Sequence, residues 1–182
     1  MIRMNTNPGM ARRLLLASLL TLCTGSALPQ SPALYTVEIV VFRNAGDAAA
    51  LPASGAPGVL PAQTGEIEAT PVAATRLVSA TSKLRNRSSG FRVLAHTAWM
   101  QAPAGWNSRR GVSASQLGLA DGITGKVILE RGQYLHFGVD LTIEDGGKRY
   151  RIEEVRQVKP NQIHYLDHPS VGVLAIVTAS TG

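Results

Sequence analysis

Cysteine is almost missing from this sequence: the 182-residue chain carries one, Cys23. A single thiol excludes a disulfide framework and any multi-cysteine zinc or iron–sulfur site. Aromatic residues are scarce at 5% and charged residues amount to 16%. The apolar run Leu14–Leu22 is about half the roughly twenty residues that a membrane-spanning helix requires, so no transmembrane anchor is expected. Enzyme signatures are lacking as well. There is no Gly-x-Ser-x-Gly elbow, no His-Glu-x-x-His and no phosphate-cradling glycine loop, so no cofactor site is read from the sequence.

What is present is enough for one globular domain. Apolar residues make up 45%, which excludes a collagen or a wholly disordered chain. A domain of roughly 150 residues can fold without a staple. Arg12 and Arg13, the apolar run Leu14–Leu22, and the small residues Gly25 and Ala27 follow the grammar of a secretory signal peptide, residues 1–27, cleaved after Ala27. Acylation at Cys23 is the alternative, and Leu22 argues against it, because lipoprotein processing needs a small residue there. Met10 offers a second possible start. Removing 1–27 leaves 15 basic against 12 acidic residues, so the net charge falls from +6 to +3. With export, that weak charge argues against a nucleic-acid partner.

The remainder, 28–182, reads as a single domain. Leu34–Phe42 predicts a central strand buried on both faces. Residues 47–65 follow, 12 of 19 being Ala, Gly or Pro, and predict a low-complexity loop. Thr70-Pro71 predicts a helix start, with Ala73, Leu77, Ala80 and Leu84 as an apolar stripe and Arg76, Lys83 and Arg87 as a basic ridge. Phe91–Met100, Lys126–Arg131, Gln133–Glu144, Tyr150–Lys159 and Gly172–Thr178 predict strands, with a hairpin turn at Asp145-Gly-Gly147. In the first of these, Phe91, Val93, Ala95, Thr97 and Trp99 are expected to share a face. The expected class is therefore α+β: a mainly antiparallel sheet of about five to six strands with one main helix packed on one face.

His164 and His168 flank Asp167 and are residue types that bind metal. Pro169 disfavours a helix there, and the plainer reading is a structured turn, with Asp167 capping backbone amides and the imidazoles hydrogen-bonded. Glu153 and Glu154 are strand neighbours pointing to opposite faces. Asp140 and Glu144 stand about 13 Å apart along their strand, too far for a catalytic pair. What remains is a binding face: Tyr134, His136, Asp140 and Thr142, with Arg131 just before it and a loop carrying Trp106, Arg109 and Arg110. Aromatic planes suit sugar rings and guanidinium forks suit carboxylates.

Three segments together resemble a known family. Tyr35–Arg43 is similar to its opening strand and His96-Thr-Ala-Trp-Met-Gln101 to its His-x-x-Trp-x-Gln strand. Arg131-Gly-Gln-Tyr-Leu-His136 is similar to a third segment, paired with Ile163-His-Tyr-Leu-Asp-His-Pro169 and Gly172. The family is CsiV, bacterial periplasmic proteins described as peptidoglycan-binding, and the likeness runs from about 35 to 177. It implies a non-enzymatic periplasmic protein of a Gram-negative bacterium that binds peptidoglycan and supports wall synthesis. The rival is an adaptor that contacts a peptidoglycan synthase or its lipoprotein activator and meets the wall indirectly. Gln133 stands where a basic residue is expected, and Val171 where an aromatic is. The ligand-binding candidates are Arg131, Tyr134, His136, His164, Tyr165, Asp167 and His168, expected to form one recognition edge from the Tyr134/His136 face and the His164–Pro169 turn.

Overall fold

The computed structural model describes residues 33–44 and 67–180. The expected leader 1–27 and the segment 47–65 lie outside the described residues.

Strand β1 (Tyr35–Asn44) runs through the middle of the first sheet and is buried along nearly its whole length, as its unbroken apolar character predicts. It pairs antiparallel with β3 (Phe91–Gln101) on one side and β10 (Val171–Ala179) on the other. The short strands β2 (Thr70–Val72) and β9 (Ile163–Asp167) form the two edges. A second sheet is built from β6 (Ile123–Arg131), β7 (Leu135–Asp145) and β8 (Lys148–Gln157) in antiparallel order. The short strands β4 (Ala104–Gly105) and β5 (Gly111–Ser113) both pair with β6, β4 in parallel.

The expected single sheet is thus corrected to two five-stranded sheets. Their inner faces share one apolar core, in which Val37, Ile39, Val41, Trp99 and Val173 of the first meet Leu129, Phe137, Val139 and Leu141 of the second. Alternation in β7 marks one buried face correctly; it cannot say that the covering layer is another sheet instead of a helix.

The helix also differs from expectation. Thr70-Pro71 starts no helix: Thr70–Val72 is an edge strand against Ala98–Met100, where the missing amide of Pro71 costs least. Helix α1 is only Val78–Arg85. Ala73 is exposed and lies before it, while Leu77 packs with Val40, Phe42 and Ile176 on the outer face of the first sheet. Its start is set from outside the helix. The carboxylate of Glu38, on β1, accepts the amides of Thr75 (3.1 Å), Arg76 (2.8 Å) and Leu77 (2.8 Å). A bulge at Val41/Phe42 changes the β3 register, so Phe91 and Val93 leave the face they were expected to share with Ala95, Thr97 and Trp99.

The Asp145-Gly-Gly147 hairpin forms as its residues dictate, with Gly146 and Gly147 at φ 60° and 73°.

Candidate functional site

Odd residues of β7 point into the core, so His136, Gly138, Asp140 and Thr142 line the outer face of the second sheet. Glu130, opposite His136, shares that face yet is fully buried, because the loop from β4 to β5 folds over it. Its carboxylate accepts the amides of Asn107 (3.1 Å) and Arg109 and the hydroxyl of Ser108 (3.3 Å). Asn107 and Arg109 hold φ of 61° and 55°, a left-handed geometry that is costly for a residue such as arginine.

The bent loop lays Trp106 on His136, with ring centroids 3.8 Å apart at 37°. Trp106 leans on Gly132, where a Cβ would come within 3.0 Å of the tryptophan Cβ. Trp106 and Tyr134 are each 52% exposed, so their rings are open to a ligand. The His136 Nδ1 lies 3.2 Å from the Tyr134 carbonyl, which it reaches by donating a proton.

A groove of about 380 Å³ begins beside this stack. Ile128, Gly138 and Val155 face one another across three strands, and the Val155 side chain packs over Gly138 where a side chain would otherwise stand. A Cβ there would stand 2.4 Å from both the Glu154 carbonyl oxygen and a Val155 methyl. Arg109, Lys126, Asp140 and Glu153 line the groove. Lys126 Nζ donates to the Arg109 carbonyl at 2.7 Å, while Arg151 bridges Asp140 (3.2 Å) and Glu153 (2.9 Å).

The residues singled out from the sequence divide among several places. Tyr134 and His136 belong to this surface. Arg131 turns toward the first sheet, where its guanidinium bonds the Tyr35 hydroxyl and stands 5.9 Å from that ring's centre. His164 to Asp167 are not a turn but the edge strand β9; only the chain after Asp167 turns. His164 Nε2 contacts the Lys159 backbone, just beyond β8. His168 Nδ1 accepts the Ser170 amide.

Tyr165 and Asp167 face outward from the first sheet, Tyr165 stacking on Phe42 at 6.0 Å. Asp167 accepts the Tyr165 hydroxyl at 2.6 Å, in place of the backbone amides expected for it. Partial burial, then the hydrogen bond and charge of Asp167, push the Tyr165 phenol up to about 12. The expected single edge is therefore not one surface, because Tyr165 and Asp167 look away from Tyr134 and His136. Val171 is 2% exposed, so its departure from the family pattern is a matter of core volume. Lys126, Glu153 and Gly138 were missed, though a glycine between His136 and Asp140 in a clean strand is a signal of close approach.

The fold and the site together define a two-sheet β-sandwich with an open aromatic and charged face over its second sheet. The model of the family described as "Peptidoglycan-binding protein, CsiV" matches residues 61–179, and the chain belongs to that family. The match takes in the whole of the surface described above and begins after β1, so the opening strand Tyr35–Arg43 falls outside it. Neither a curated protein nor a solved structure matches the chain. Among the described residues no helix is long and apolar enough to cross a membrane, and no three His, Cys, Asp or Glu side chains gather as a metal site.

Proposed function

We propose that the chain is a periplasmic protein of a Gram-negative bacterium that binds peptidoglycan directly, catalyses nothing, and supports wall synthesis after export by its 1–27 leader. The observation that carries the reading is the Trp106–His136 stack, exposed and held in place beside a charged groove, in a member of a peptidoglycan-binding family. A sugar ring presents an apolar face that an indole covers well, and the adjoining groove offers charges of both signs to the peptide. Co-sedimentation of residues 28–182 with cleaned sacculi tests this. Wild type is expected to pellet, and Trp106→Ala to bind roughly tenfold more weakly, about the value of one lost stacking contact with its buried area. Equal pelleting of both proteins would remove the stack from the binding surface.

The adaptor reading has its own support, on the other side of the sandwich. Phe91, Ile163 and Tyr165 are exposed on the outer face of the first sheet, with Ile163 56% accessible. A synthase or lipoprotein activator would be the partner. In-cell cross-linking from Ile163 that yields wall polymer and no protein would end this reading.

A further inference from the structure

On the second sheet and its loops, four arginines have their guanidinium groups committed. Arg131 is bonded to Tyr35, Arg149 to Glu144, Arg151 to Asp140 and Glu153, and Arg156 to Glu154. Arg110 is also engaged. Arg109 differs from all of these. Its backbone is held at both ends, the amide by Glu130 and the carbonyl by Lys126, while its side chain is exposed and lines the groove without an acidic partner among the described residues.

Three features of that position bear on what it is for. The left-handed φ of 55° is unfavourable for arginine and persists because a buried carboxylate anchors the amide. Glu130 holds the amides of Asn107 and Arg109 together, so one carboxylate fixes the bend that puts Trp106 on His136 and Arg109 at the groove. Of the three acidic residues that line the groove, Asp140 and Glu153 are already occupied by Arg151 and Glu154 by Arg156. The backbone is fixed at this position, and the guanidinium it carries is a planar fork suited to bidentate pairing with a carboxylate, with its own side-chain rotamers ordered on binding.

We propose that Arg109 binds a carboxylate of the wall polymer while Trp106 covers the neighbouring sugar, with Glu130 as the positioning residue that sets their spacing. This rests on the peptidoglycan-binding reading and adds its chemical determinant. Two sources carry that group: the free carboxylates of the stem peptide, and the lactyl carboxylate of muramic acid exposed where peptide has been removed.

The test measures binding to three preparations: co-sedimentation with intact sacculi and with sacculi whose carboxylates have been converted to amides, and calorimetric titration with the soluble glycan strands that an amidase releases from their peptides. Arg109→Asn removes the guanidinium while supplying a residue at ease with positive φ, so its fold is expected to survive; Arg109→Lys keeps a charge without the fork. Wild type is expected to bind intact sacculi and to lose roughly tenfold on amidated ones. Arg109→Asn is expected to bind both equally and weakly, with Arg109→Lys between. Retained binding to stripped glycan assigns the lactyl group, and lost binding assigns the stem peptide; either result supports carboxylate recognition. Glu130→Gln, with circular dichroism unchanged, is expected to weaken binding to intact sacculi and to flatten the difference between intact and amidated material. Wild type that pellets equally with intact and amidated sacculi would overturn the proposal and leave wall binding standing. Wild type that binds none of the three would overturn both.

Discussion

Glu38 and Glu130 do the same work on the two sheets. Each is a strand carboxylate pointing outward and buried, at 1% and 0% exposure, and each gathers the amides of a segment that crosses over it. Glu38 starts helix α1, whose first turn has no acidic residue of its own, and also takes a hydrogen bond from His96 Nε2 at 2.8 Å. Burial pushes the Glu38 carboxyl up, but His96 and the amides of Leu77, Arg76 and Thr75 together outweigh it and leave the group below its ordinary 4.5. A folded pKa below the unfolded one gives stability that is present above about 4.5 and is lost as pH falls through the lowered folded value. Urea unfolding at pH 7 is expected to show Glu38→Ala less stable by about 3 kcal/mol, because three amides and an imidazole lose a buried partner. The gap between the two proteins should narrow on acidification below pH 4.5; a gap that stays constant down to acid unfolding would deny Glu38 this role.

At the scale of elements, legibility followed periodicity. The strands at 35–44, 135–145 and 171–179 were visible from the apolar or alternating pattern that a pleated sheet requires, and 148–157 as the return strand after the Asp145-Gly-Gly147 turn. The start of α1 was not visible, since its cap lies 39 residues upstream on another element, and no local pattern of residues 70–77 encodes it. The β3 bulge was hidden for a similar reason: one unpaired residue shifts every later face, and only the β1 register reveals it. Of the candidate site, Tyr134 and His136 were put on one face by alternation and singled out by their chemistry and the family resemblance. Their partner Trp106 was seen in its loop, but the fold of that loop depends on the buried Glu130, which nothing near Trp106 announces. Gly138 is where element and site meet. Gly138→Ala is expected to cost about 2–3 kcal/mol, since a Cβ meets the backbone of the adjacent strand at 2.4 Å and β8 must move. A urea midpoint within error of wild type would show that β8 yields freely, and that the groove floor is soft.

For the whole molecule, the two sheets are joined mainly by apolar surface and only lightly by charge. Arg131 reaches Tyr35 at one end of β1, and Asp145 meets Arg43 and Arg92, each at 3.2 Å, at the other. Partly exposed ion pairs of this kind contribute about 1 kcal/mol or less. Between them lies the shared core, where Phe137 on the second sheet is fully buried and Trp99 on the first is 1% exposed. Such a core is expected to make the sheets one cooperative unit. The chain has two tryptophans, so Trp106→Phe leaves Trp99 as the only indole reporter, placed in the first sheet. In that background Phe137→Ala is expected to lower stability by about 4 kcal/mol, and the loss should be read in full by Trp99 fluorescence although the substitution lies in the other sheet. Far-ultraviolet circular dichroism should follow the same urea curve. If instead Trp99 unfolds at its original midpoint while circular dichroism shifts, the sheets come apart separately, and wall-binding variants on the second sheet could be designed without regard to the first.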